Sequence, residues 1–159
     1  MTRFTIEIGF NEAERSAIVA LLREYEAGIG ISLCFQSFDA EVANLPGDYA
    51  PPKGAMLLLR DSSAGGLAGC VAVRPVAGAA ELCEMKRLYL RPQARDRGLG
   101  RRLAMAAMAE AKRLGYRRIC LDTLPTMREA QALYLSLGFA QVGVSTSEPQ
   151  VLLFECDLD

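Results

Sequence analysis

Leu88-Tyr-Leu-Arg-Pro-Gln-Ala-Arg95-Asp-Arg-Gly98-Leu-Gly100-Arg-Arg102 is the stretch that decides the fold. An apolar strand runs out at Pro92, because proline cannot donate to a ladder. A short loop rich in arginine and glycine follows, and a helix begins. The start of a helix leaves several backbone N–H groups without partners, aligned with the positive end of the helix dipole. Phosphate oxygens are natural acceptors for them. Gly98 and Gly100 carry no Cβ, so a diphosphate can approach the backbone, and Arg95, Arg97, Arg101 and Arg102 add positive charge. The residues alone also allow a plain tight turn. The loop is neither a P-loop, which needs Gly-Lys-Ser/Thr, nor the dinucleotide fingerprint, since no third glycine follows Gly100.

Working outward, Leu99, Leu103, Ala107, Ala111 and Leu114 recur at helical spacing and Gly115 ends the run. Arg118–Asp122 reads as a short buried strand, Met127–Leu137 as a helix stopped by Gly138, and 140–144 and 151–157 as closing strands. Upstream, 81–90 is a long strand, preceded by a hairpin of 55–60 and 67–74 around Asp61-Ser-Ser-Ala-Gly-Gly. Phe4–Phe10 reads as the first strand. Asn11 with Glu14 three residues later forms a capping box for a helix through Ile18, Leu21, Leu22 and Tyr25. Asp39 is placed as the cap of a short second helix, and 46–53, with three prolines, as a surface loop and candidate lid. The order is β-α-α-β-β-β-α-β-α-β-β. It predicts one α/β domain over residues 1–159, with a mixed central sheet of six or seven strands and helices on both faces.

Composition narrows the chemistry. The 159 residues are 51% hydrophobic and 23% charged, with a net charge of −1. Residues 86–118 hold eleven Lys or Arg against two acids, whereas residues 1–54 hold eight acids and four bases. A basic block in a near-neutral chain suits a compact anion better than extended nucleic acid. No histidine occurs, which removes Ser-His-Asp triads and His-based metal sites. Cys34, Cys70, Cys83, Cys120 and Cys156 are scattered and read as packed thiols rather than disulfides or a zinc site. No apolar run suggests a membrane span, and the N-terminus lacks a signal-peptide core, so a cytoplasmic protein is expected.

The loop also resembles the GNAT superfamily of acyl-CoA N-acyltransferases, whose signature Arg/Gln-x-x-Gly-x-Gly/Ala appears here as Arg95-Asp-Arg-Gly98-Leu-Gly100. Ala130-Gln-Ala-Leu-Tyr134-Leu-Ser-Leu-Gly138-Phe139 is similar to the family's second signature. The resemblance implies an acetyl-CoA-dependent N-acetyltransferase acting on a primary amine of a small molecule, an amino acid or a peptide N-terminus. With composition already arguing against metal, nucleic acid and membrane, the expected partners are acetyl-CoA and an amine, and a homodimer stays open. The resemblance assigns the pantetheine arm to the strand edge at Leu88, Tyr89 and Leu90. The pyrophosphate falls to the amides of Arg95, Asp96, Arg97, Gly98, Leu99, Gly100 and Arg101. The family's asparagine of the second motif is replaced by Met127, so that side-chain bond to the cofactor is lost.

An alkyl ammonium with pKa near ~10.4 must lose a proton before it can attack a thioester. The resemblance implies Glu84 as general base, with Glu81 the fallback, and Tyr134 as general acid for the departing thiolate. It puts the developing oxyanion against a backbone N–H of the fourth strand, at Leu90. Alternatives stay open on the residues themselves: Glu84 pairing with Lys86 or Arg87, and Tyr134 serving only as core. A covalent route through Cys83 or Cys120 lacks a thiol-activating neighbourhood. The competing function is a non-catalytic acyl-CoA-binding module or sensor. The acids Glu24, Glu26, Asp39, Glu41 and Asp48 would favour a cationic acceptor if they faced the acceptor pocket.

Overall fold

The computed structural model describes residues 2–30 and 37–159. Cys34 lies outside the described residues. The elements are β1 (Phe4–Ile8), α1 (Arg15–Ile29), α2 (Phe38–Ala43), β2 (Ala55–Asp61), β3 (Leu67–Val76), β4 (Ala79–Leu90), α3 (Leu99–Arg113), β5 (Arg118–Thr123), α4 (Arg128–Ser136), β6 (Ala140–Val144) and β7 (Leu152–Asp157). The seven strands form one sheet in the order β1-β2-β3-β4-β5-β7-β6. Only β4 and β5 run parallel, joined by the crossover helix α3; the other neighbours are antiparallel.

Strand periodicity explains why helices cover both faces. Leu57 and Leu59 of β2 pack with Val71 and Val73 against Leu103, Ala107 and Ala111 of α3. Their neighbours Met56 and Leu58 turn the other way, with Cys70 and Ala72, onto Ile18, Leu21 and Leu22 of α1 and Phe38 and Val42 of α2. A strand buried on both faces reads as an unbroken apolar run, as Ala55–Leu59 does.

Two local expectations shift. Asn11 caps a single 3₁₀ turn, Glu12–Glu14, through a bond from the Ala13 amide, and α1 begins only at Arg15. Glu14 is drawn off to Arg60 across the sheet, at 2.9 and 3.0 Å, instead of closing a capping box. Asp39 lies inside the first turn of α2 and accepts from Arg23 at 2.8 Å; the cap position belongs to Ser37.

The feature that builds the site is an interruption in β4. Between the pairs Ala72↔Lys86 and Cys70↔Tyr89, two residues of β4, Arg87 and Leu88, stand opposite one of β3. Arg87 takes a positive φ of 64° there. One extra residue in a strand reverses the facing of everything beyond it. Cys83 and Met85 face α3 before the bulge; after it Leu88 and Leu90 do, while Tyr89 packs on the α1 side.

Candidate active site

β4 and β5 pair only at Leu82↔Arg118, Cys83↔Ile119 and Glu84↔Cys120. Beyond that point β5 stays with β7 as far as Thr123↔Leu152, while β4 continues on β3 to Leu90. The two strands part, and the edge of β4 past Glu84 has no ladder partner from β5. A cavity of about 50 Å³ fills the wedge, walled by Lys86, Arg87 and Leu88 on one side and Leu121, Asp122 and Thr123 on the other, with Tyr25, Met127 and Tyr134 closing it. A larger open groove, about 790 Å³, runs from Leu88, Tyr89 and Leu90 past Arg95, Asp96 and Gly100 to Met127 and Arg128. Leu88 and Met127 border both spaces, so the wedge and the groove meet there.

At the far end of the groove the helix start is open. Gly98 is the N-cap of α3 with φ of 73°, and no side chain caps the first turn. Asp96 also takes a positive φ, 62°. Residues 95–98 are exposed, and a Cβ built on Gly98 would meet no protein atom within 4 Å. Leu99 is buried and anchors the helix, leaving its amide with the other first-turn donors. The arginines are partly occupied: Arg95 Nε donates to the Leu90 carbonyl at 3.0 Å, Arg97 lies over the Phe4 ring, and Arg101 donates to Ser136 at 2.8 Å. Uncapped amides, an exposed turn and a groove leading to the wedge fit the diphosphate and arm of coenzyme A.

The two residues expected to carry proton transfer are placed differently. Tyr134 borders the wedge and is packed edge-on against Phe139, with ring centroids 5.7 Å apart. Burial pushes its phenol well above the ordinary range, with smaller contributions from Tyr25 and Asp122, so it stays protonated. Glu84 stands at the fork itself, not on the cavity wall. Its Oε1 accepts from Arg74 Nε and Nη2 at 2.9 and 2.8 Å, and its Oε2 is 3.9 Å from Lys86 Nζ. Lys86 Nζ is in turn 4.0 Å from Asp122, which does line the cavity. The Lys86 side chain is only 4% exposed, and burial lowers its pKa against the pull of both carboxylates. Glu81, the fallback base, is exposed at the other end of β4 beside Arg117.

Sequence reasoning missed Asp122 and Thr123, and it named Lys86 and Arg87 only as partners for Glu84, not as walls of the cavity. Asp122 and Thr123, two polar residues ending the apolar run Ile119-Cys-Leu, were the available signal. The acids of the N-terminal third do not form an acidic pocket. Glu24 is bound to Arg91, Glu26 and Asp39 to Arg23, and Glu41 to Arg87. Asp48 lines a separate groove with Lys53 and residues 75–80. The 46–53 segment is itself pinned, with Tyr49 buried and Tyr116 donating to the Lys53 carbonyl.

Burial pushes the Cys83 and Cys70 thiols up to about 12 and Cys120 to about 11, so all three are protonated at neutral pH. Among the described residues no group of three or more His, Cys, Asp or Glu could hold a metal ion, and no helix is long and apolar enough to cross a membrane.

Residues 20–139 match the sequence profile of the acetyltransferase (GNAT) family. An uncharacterized N-acetyltransferase of Schizosaccharomyces pombe is 44% identical over 129 residues, covering 81% of this chain and 75% of that protein. One of Escherichia coli is 28% identical, covering 89% of this chain and 82% of its own length. A GNAT acetyltransferase crystal structure from Staphylococcus aureus superposes with a TM-score of 0.79 at 15% identity, over 98% of this chain and all of that one.

Proposed function

The chain belongs to the GNAT family of acetyltransferases, and on that premise we propose that it moves an acetyl group from acetyl-CoA to a primary amine. The observation that carries this reading is the parting of β4 and β5 after Glu84, which opens a cavity continuous with a groove ending at the uncapped start of α3. In this reading the amides of Arg95 to Arg101 hold the pyrophosphate, and the free edge at Leu88, Tyr89 and Leu90 holds the pantetheine arm. Acetyl-CoA supplies the acyl group as a thioester.

Holding amine and thioester at one junction supplies part of the rate by itself. Leu88, which borders both spaces, is better placed than Leu90 to offer the backbone N–H to the developing negative oxygen. Glu84 takes the amine proton through water, since its carboxylate lies at the fork, behind Lys86 and Asp122. Tyr134, protonated in its buried seat, gives a proton to the leaving sulfur. A cytoplasmic setting is part of the proposal, supported by Cys70, Cys83, Cys120 and Cys156 standing as free thiols.

The test is release of free coenzyme A thiol from acetyl-CoA across a panel of polyamines, amino acids and peptide N-termini. Amine-dependent release supports the reading. Tight acetyl-CoA binding without release for any amine would leave the non-catalytic module in its place.

A further inference from the structure

Arg87 is the least ordinary residue of β4. It has a side chain and yet takes φ of 64° in the middle of a strand. Left-handed backbone in a residue other than glycine persists only where its surroundings hold it. The described surroundings do so from α2. Arg87 Nε donates to Glu41 Oε2 at 2.9 Å and Nη2 to Oε1 at 2.8 Å, a two-pronged pair with side chains 1% and 14% exposed. The guanidinium also lies 4.9 Å from the Phe38 ring centre and 5.6 Å from that of Tyr25. On the opposite side the Arg87 carbonyl accepts from Cys70 Sγ at 3.3 Å.

The bulge at this residue makes Leu88 and Leu90 face α3 and Tyr89 face α1. Without the extra residue the strand beyond would show the reverse set of side chains and backbone groups. Glu41 lines neither the wedge nor the groove. Its removal therefore deletes no contact with either substrate.

We infer that Glu41 is a positioning residue: through its two-pronged bond to Arg87 it holds the β4 bulge in the shape that presents Leu88 to the thioester. The inference rests on the acetyl-transfer reading above, and it makes α2 a support of the catalytic strand as well as a cover for the sheet. A bidentate carboxylate fixes a guanidinium in angle as well as distance, which a single hydrogen bond does not.

Two variants test it. Glu41→Gln keeps the shape but takes away the charge and one of the two acceptor oxygens. The double variant Glu41→Leu/Arg87→Met removes both buried charges together, and exchanging a whole buried ion pair for apolar groups of like size is generally tolerated by the fold. Amide hydrogen exchange in residues 87–90 should quicken by about tenfold or more in both, with the amides of α3 unchanged. In steady-state assays of Glu41→Gln, whose residue lines neither space, kcat should fall roughly 10- to 100-fold, because an ångström of misplacement costs on that order. The double variant, which also takes Arg87 off the wedge wall, is read by exchange alone. The dissociation constant for coenzyme A, held chiefly at residues 95–101, should stay within about fivefold. Folded variants with native exchange in 87–90, or with quickened exchange and an undiminished kcat, overturn the inference. So does a loss of kcat that merely follows a shrinking folded fraction. Should the native protein transfer acetyl to no amine, the functional reading fails, and the exchange experiment still decides whether Glu41 holds the bulge.

Discussion

Gly98 separates two physical effects that coincide in the cofactor loop, and two substitutions pull them apart. Its φ of 73° is a left-handed conformation, and a Cβ there would meet no protein atom within 4 Å. In the ligand-free protein Gly98→Ala therefore costs backbone strain alone, about 1–2 kcal/mol, which lowers the melting temperature by a few degrees for a chain of this length. Gly98→Glu adds to the same strain a carboxylate beside the pyrophosphate. Two phosphate charges at about 5 Å in near-aqueous dielectric repel it by about 1.7 kcal/mol, or roughly twentyfold in affinity. At acetyl-CoA one hundred times the native dissociation constant, binding adds about 2.7 kcal/mol to the native protein and about 1.1 kcal/mol to the glutamate variant. Differential scanning fluorimetry should read a rise of about 5–11 °C in the first case and about 2–4 °C in the second. The alanine variant should start lower and lose part of the ligand-induced rise, because its Cβ stands where the diphosphate approaches the backbone, but unlike the glutamate's loss this one should not respond to salt. Raising salt should narrow the gap between native and glutamate proteins, since an exposed repulsion is screened. A glutamate variant with the full rise at low salt would refute the claim that the first turn of α3 holds the diphosphate.

Tyr134→Phe should lower kcat by about 10²-fold or more while leaving the melting temperature nearly unchanged, because the ring still packs on Phe139 and Phe154. The phenol also carries a pH signature. Its folded pKa is raised, so the unfolded chain ionises first, near pH ~10, and the contribution of Tyr134 to stability declines as pH rises from there towards the folded value; denaturation curves between pH 9 and 11 should be flatter for the phenylalanine variant. Glu84→Gln should retain the acetyl-CoA-induced rise in melting temperature and lose kcat at neutral pH, and Asp122→Asn is its companion. A native rate for Glu84→Gln with a large loss for Asp122→Asn would move the base to the cavity wall. Aromatic disulfide reagents at pH 8 should leave Cys70 and Cys83 unmodified in the folded protein and label them on unfolding, since both thiols are buried and held protonated.

What could be read from the chain in advance was local. The glycine-arginine loop, the α3 seam and the Tyr134–Phe139 ending depend on neighbours within a turn or two, and periodicity and spacing expose them. The bulge at Arg87 has no such mark. Bulges that need a left-handed residue favour glycine, and here an arginine is held in that conformation by Glu41, 46 residues earlier in the chain. The surroundings of Glu84 were hidden for the same reason. Of the two sequence neighbours suggested as its partner, Lys86 does approach Glu84, at 3.9 Å, while Arg87 pairs with Glu41; the closer partner, Arg74, is brought directly opposite by strand pairing. The displaced helix cap at Asn11 and Glu14 is a milder case, in which a cross-sheet arginine outcompetes a local hydrogen bond.

The uneven charge of the chain takes on a definite meaning once the pairs are drawn. Of the eleven bases between 86 and 118, six meet a carboxylate: Lys86 with Glu84 and Asp122, Arg87 with Glu41, Arg91 with Glu24, Arg113 with Glu110, Arg117 with Glu81 and Arg118 with Glu155. Of the five left without an ion pair among the described residues, Lys112 lies in the last turn of α3, and Arg95, Arg97, Arg101 and Arg102 surround the uncapped turn. Folding thus spends Glu24 of α1 on Arg91, just past the end of β4, and Glu41 of α2 on Arg87 within it, and leaves the four arginines around the helix start with Asp96 as the one acid in their loop. Opposite charges close together in the fold cancel at a distance, whereas four arginines around exposed amides sum to a local positive field that reaches about a Debye length, ~8 Å at physiological salt. That sorting lets a protein of net charge −1 keep a local positive patch, and it places the patch at the start of α3 rather than along the whole basic segment.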